Sequence, residues 1–294
     1  GFADPALLTA LVDHQARAIE AIERAGAWTD ELKVSAGMTI ARAHLVRIRD
    51  LLAHLEREAL AAGAVILTGR PADTLVAEEA RVRSIRSAGE VFTAEAGVVL
   101  ASGGFSRSRE LLELFVPDQA AAMPYGGVGN TGDGLRMAWM LGAGLADIGH
   151  VAGTYGQHPD ATDEEHELLT AIYLRAILVD ADGEWFAEET QSYKVQGAAV
   201  LDQPGGMAFQ IFDARVRALS RPGVPLSDMD RIEELGHLPS APTVADLAQR
   251  LGMPGEALER TVELYNDGVA RRGGDAFGRP GLVDGGGALP PLGT

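Results

Sequence analysis

Apolar positions recur at helical spacing in the first fifth of the chain and then give way to the shorter period of strands. Leu7, Leu8, Leu11, Ala18, Ile19 and Ile22 predict a helix over 4–25, opened by Asp4 as cap with Pro5 at the first position. A polar loop is expected next, then a second amphipathic helix over 45–62 that stops at Gly63. AVIL at 64–67 reads as a short buried strand, and 73–101 as strands joined by turns, with GVVLA buried on both faces. That last run ends in Ser102-Gly103-Gly104, followed by an amphipathic segment.

Further along, NTGDG at 130–134 is a glycine-rich turn leading into a helix over about 132–141 and a short strand. A long polar loop follows residue 149. The strands AILVD and AFQIFD come next, the first with a turn at Asp182-Gly183 and a helix start between the two. Helices are predicted over 228–235, 243–250 and 254–271, the second opened by the capping pattern Thr243 to Asp246, and the tail from 273 reads as loop. The order of elements fits an α/β nucleotide-binding domain followed by a second domain, with the boundary near 149.

Composition removes several classes of function. The chain of 294 residues carries a net charge of −17, so binding to nucleic acid or anionic lipid is not expected. With no cysteine there is no disulfide, thiolate metal site or cysteine nucleophile, and the seven histidines show no metal-binding spacing. No apolar run is long enough to span a membrane, and the first residues have no signal-peptide pattern, which points to a cytoplasmic protein as far as this segment extends.

The turn in VVLASGGFSRSRELL has the outline of strand, glycine turn and helix that brings backbone N–H groups close to a phosphate, yet the chain holds no GxGxxG at a strand end. A tight turn without a ligand would read the same. Taken with GNTGDGLRMAWMLGAGLADI and AILVDADGEWFAEETQSY, in that order and spacing, it resembles the flavoprotein family of fumarate reductase, the succinate dehydrogenase flavoprotein and the 3-ketosteroid 1-dehydrogenases. The resemblance implies an α/β fold: a partial FAD-binding Rossmann-like domain at 1–149 and an α+β substrate-binding cap at 150–294. Family members are longer, so it also implies an internal fragment that lacks the N-terminal GxGxxG segment and the C-terminal segment.

What the resemblance implies about the site is specific. Ala101, Ser102, Gly103 and Gly104 match the family's A-T/S-G-G turn beside FAD, and Asn130, Thr131, Gly132 and Asp133 match its second flavin-contacting turn. Asp133 fits equally a helix-start carboxylate that favours the dipole. The FAD is expected to be non-covalent. Thr154 occupies the substrate-histidine position of the fumarate reductases, with His158-Pro159 four residues later; the T-E-x-x-R motif is missing, and Arg175 sits where a glycine is usual. Tyr193 replaces their arginine acid, as in the ketosteroid dehydrogenases, and Glu188 replaces the usual asparagine.

A dicarboxylate needs paired cations, which these positions do not supply. The resemblance therefore implies hydride transfer between flavin N5 and a carbon beside an activated C–C bond of an uncharged ketone. Tyr193 would be the catalytic proton acceptor or donor and Tyr155 its partner; the bland alternative for Tyr193 is a half-buried residue at a helix start. A phenol that acts as base needs its ordinary pKa near 10 lowered. His158, His166 and the run Asp163-Glu164-Glu165 read as solvated loop. Two alternatives stand: a fumarate-reductase-like enzyme for a carboxylate, and a fragment with no activity of its own. A small-molecule substrate is expected, and no electron acceptor is identified.

Overall fold

The computed structural model describes residues 4–33, 40–165, 167–189, 191–224, 226–271, 277, 283–284 and 287–288. The chain forms two compact units, 1–71 and 72–294. In the first, α1 (Pro5–Arg24) starts as predicted: Asp4 accepts the N–H of Ala6 at 2.8 Å, and Pro5 fills a position whose N–H would have no partner. The expected polar loop is instead an antiparallel pair, β1 (Trp28–Lys33) and β2 (Ala43–Val46), with Trp28 stacked on His44 at 3.7 Å. Helix α2 (Ile48–Ala61) follows. The strand expected at 64–67 is absent: the segment is irregular and Val65 is 80% exposed.

The second unit opens with an antiparallel meander, β3 (Thr74–Glu78), β4 (Arg81–Ser87) and β5 (Glu90–Thr93). GVVLA does not continue it as a buried strand; residues 98–101 are irregular, with Val99 88% exposed. An apolar run becomes a doubly covered strand only where neighbours hydrogen-bond both edges. Among the described residues no strand pairs there. Two helices flank the glycine turns, α3 (Arg109–Phe115) and α4 (Asp133–Met140), and the short strand expected directly after α4 is irregular over 142–149.

The strands β6 (Ile177–Val179) and β7 (Phe209–Ile211) pair antiparallel, with α5 (Tyr193–Leu201) between them in sequence. Strand β6 is buried on both faces. Ile177 and Val179 join a core with Leu258, Val262 and Tyr265, while Leu178 faces Ala171, Ile172 and Met229. Four helices follow: α6 (Ala214–Arg217), α7 (Met229–Glu234), α8 (Val244–Leu251) and α9 (Gly255–Arg271). The Thr243 cap of α8 accepts the N–H of Asp246 at 3.1 Å and donates its hydroxyl to that carboxylate. The Asp182-Gly183 turn seats against α9: a Cβ on Gly183 would lie 3.0 Å from Leu258 N, and Thr261 donates to the Gly183 carbonyl at 2.7 Å.

The result is a mixed α/β fold built on small open sheets, as expected in class. Among the described residues no helix is long and apolar enough to cross a membrane. Most of the tail from 273, and His166, lie outside the described residues.

Candidate active site

The two glycine-rich turns far apart in sequence close on each other. Gly132 N–H donates to the Gly104 carbonyl at 3.1 Å, and Arg107 N–H to that of Asn130 at 2.9 Å. Gly103, with φ +79°, has the Asn130 side-chain oxygen where a Cβ would sit. Gly132 is overlaid in the same way by Leu111, and Gly134 by the Ser102 hydroxyl. All three glycines are packed against side chains, and Gly103 and Gly132 also take positive φ, +79° and +81°, which disfavours any other residue there.

Gly104 differs, because nothing lies within 4 Å of its missing Cβ. The N–H groups of Gly103 and Gly104 take no backbone partner among the described residues, and Ala101 through Gly104 are exposed. Asp133 is the first residue of α4 rather than its cap; its carboxylate is exposed and accepts the Thr131 hydroxyl at 2.9 Å. Open N–H donors beside an exposed carboxylate acceptor fit a cofactor with both phosphate and ribityl hydroxyls.

A cavity of about 1240 Å³ lies within the second unit. Ser106 and Gly126, from the flanks of the glycine turns, line it, as do Thr154, Tyr155, Lys194 and Gln210. The predicted turn residues themselves and Tyr193 do not. The extended segment carrying Thr154 and Tyr155 is held against α5, where a Cβ on Gly197 would stand 3.2 Å from the Thr154 carbonyl. Tyr193 is the first residue of α5 and half-buried, with Lys194 Nζ 5.9 Å from its ring centre.

Three tyrosines form one electrostatic neighbourhood. Burial, reinforced by Tyr173 and Glu189, pushes the Tyr155 phenol far up. Burial likewise raises Tyr173, with a smaller upward push from Tyr193 and a downward one from the contact with Tyr155. Tyr155 Oη lies close enough to Tyr173 for each to perturb the other, yet is buried without a hydrogen bond of good geometry. Tyr173 carried no motif; Tyr155, eighteen positions earlier, converges on it only because the chain folds back through a Leu169 N–H to Gly156 carbonyl bond of 2.8 Å.

Charge around the cavity is mostly paired. Arg215 binds Asp213 at 2.5 Å, Arg217 binds Asp230 at 2.6 Å and also Glu233, and Arg107 binds Asp163. Lys194 has no carboxylate partner among the described residues. His158 and His237 stack at 3.9 Å and both line the cavity, so His158 is not a free solvated loop residue; Asp163 is likewise engaged rather than merely hydrated. Arg175 takes φ +87°, the left-handed conformation that favours glycine. Glu188 holds the Gln191 side chain at 2.8 Å, and the buried Glu189 accepts the N–H of Leu178 at 2.8 Å and the indole of Trp185 at 2.7 Å. No group of three potential metal ligands exists among the described residues.

The comparisons with known proteins give the class of this domain, an FAD-binding oxidoreductase domain. The chain belongs to the FAD-binding-domain family, whose model matches residues 9–286, and FAD is the cofactor of that family. It is 28% identical over 290 residues to the NADH:fumarate oxidoreductase of Klebsiella pneumoniae, covering 94% of this chain and 30% of that protein. Its fold matches the open conformation of a flavocytochrome c3 fumarate reductase at TM-score 0.72 and 27% identity, over 92% of this chain and 48% of that one. It also matches 3-ketosteroid Δ1-dehydrogenase from Sterolibacterium denitrificans, in complex with 1,4-androstadiene-3,17-dione, at TM-score 0.58 and 26% identity, over 77% of this chain and 44% of that one. The chain thus spans less than half the length of these relatives.

Proposed function

We propose that this chain is part of an FAD-dependent reductase that saturates a carbon–carbon double bond conjugated to a single carboxylate. The observation that carries the reading is the start of α5: Tyr193 stands next to Lys194, a cation that lines the cavity and has no carboxylate partner among the described residues. Lys194 would hold the carboxylate and so polarise the conjugated bond. Tyr193 would deliver a proton to one carbon; FAD, in its two-electron-reduced form when bound, would supply the hydride for the other. Burial holds the Tyr155 and Tyr173 phenols in their protonated form, which suits an acid better than a base.

Gly103 and Gly104 N–H groups and the Asp133 carboxylate would hold FAD, with 1–149 contributing to its domain and 150–294 to the substrate cap. A dicarboxylate is disfavoured because Arg215, Arg217 and Arg107 are already engaged by acids. The relatives that reduce fumarate weigh toward a carboxylate and against the ketone expected from the sequence. Dehydrogenation of a ketone is the second reading, favoured by the tyrosine at the acid position and by the size of the cavity.

The test offers the FAD-loaded protein acrylate-type monocarboxylates or fumarate together with a reduced dye, whose oxidation is followed, and a 3-ketosteroid together with an oxidised dye, whose reduction is followed. Turnover with the monocarboxylates is expected. Turnover with the steroid alone would establish the second reading, and fumarate as preferred substrate would remove the single-cation argument.

A further inference from the structure

Gln210 sits in the middle of β7, opposite Leu178 of β6, and its side chain lines the cavity. Its amide is used at both ends. Nε2 donates to the Leu169 carbonyl at 2.5 Å, and Oε1 accepts the N–H of Ile172 at 3.1 Å. The side chain therefore does for the bend 169–172 what a neighbouring strand's peptide would do, satisfying one donor and one acceptor at fixed separation.

Both ends of that bend lead to a tyrosine. Leu169 N–H donates to the Gly156 carbonyl at 2.8 Å, fixing the segment just after Tyr155. Ile172 directly precedes Tyr173, whose own N–H donates to the Thr170 carbonyl at 3.0 Å. The bend is pinned once more, by the Thr170 hydroxyl on the Leu226 carbonyl at 2.5 Å, but that bond engages neither the Leu169 carbonyl nor the Ile172 N–H. We infer that Gln210 is the positioning residue that sets the mutual placement of the Tyr155 and Tyr173 phenols, through its two bonds to the 169–172 backbone. It touches neither substrate nor cofactor in this role, and the consequence for turnover rests on the reductase reading above.

No other side chain among the described residues bridges Leu169 and Ile172, and no hydrophobic residue of similar size can replace the pair of bonds. A glutamate of the same shape could keep the Ile172 bond. It would set a carboxylate oxygen against the Leu169 carbonyl when ionised, and a donor O–H there when protonated. Gln210→Glu should thus resemble the wild type at low pH and Gln210→Met at high pH.

The test uses the full chain with carbon-13 in its tyrosine rings, followed by NMR as pH rises, alongside turnover of the FAD-loaded protein. In Gln210→Met the Tyr155 and Tyr173 resonances should shift and titrate nearer to a free tyrosine, with Tyr125 and Tyr265 unchanged as markers of the intact fold. In Gln210→Glu the same two resonances should return to wild-type positions as pH falls below about 5. Turnover should drop roughly tenfold in Gln210→Met with KM changed far less, the signature of misplaced groups rather than lost binding. Unchanged Tyr155 and Tyr173 resonances in Gln210→Met would overturn the inference whatever the reaction proves to be. Altered resonances with no substrate turned over by the wild type would instead refute the reductase reading and leave the positioning role standing.

Discussion

Asn130 fills the space above Gly103, its side-chain oxygen lying where any Cβ on that residue would have to be. The contact closes one glycine turn on the other, at a residue whose φ is +79°. Gly103→Ala meets both obstacles and should lower stability by about 1–3 kcal/mol, read from urea denaturation. Trimming the neighbour with Asn130→Ala should recover the overlap but not the left-handed backbone, so the double variant should be more stable than the sum of the single changes. Strict additivity would show that the two turns do not depend on this contact.

Removing the phenolic hydroxyl at the start of α5 tests the assigned acid. Tyr193→Phe should keep the fold and the flavin absorbance while turnover falls by about 10²–10⁴. An unchanged rate would mean that the proton comes from elsewhere.

The neighbouring cation separates the two substrate readings. Lys194→Met should raise KM for a carboxylate substrate by about tenfold, the loss of one charge-assisted contact, and leave KM for a neutral ketone nearly unchanged. Equal effects on both would place Lys194 outside the binding site.

The stacked imidazoles make part of the stability depend on pH. Burial and the adjacent His237 hold His158 below the ordinary histidine value of 6.5, against a partial upward pull from Asp160 and Glu165. A group with a depressed folded-state value contributes stability above its unfolded value, which is lost as pH falls through the folded one. Melting temperature should therefore drop between pH 7.5 and pH 5 by more in the wild type than in His158→Gln. The opposite ordering would show that the stack binds protons more tightly than the unfolded chain does.

Helices were legible wherever a cap and a period agreed. Asp4-Pro5 and Thr243 with Asp246 bond to the backbone as their residue types dictate, because capping is decided within four residues. Strands were less so. AVIL at 64–67 and VVLA at 98–101 have strand composition, but composition supplies no neighbour to accept the edge hydrogen bonds, and the structure leaves both irregular. The pair β1 and β2 was missed for the converse reason, since Trp28–Lys33 alternates too weakly to stand out from polar loop.

Of the candidate site, the sequence alone determined the two glycine turns, the helix that begins at Tyr193 and the excess negative charge, all of which depend on residue type at local spacing. Tertiary structure alone decided that Gly103, Gly132 and Gly134 are packed against side chains while Gly104 is left open. It also decided that Arg215 and Arg217 are spent on acids, that Tyr173 lies beside Tyr155, and that Gln210 bonds to the backbone of Leu169 and Ile172. Those facts depend on which distant segments share a surface, and a bond such as Leu169 to Gly156 has no signature in the order of the residues it joins.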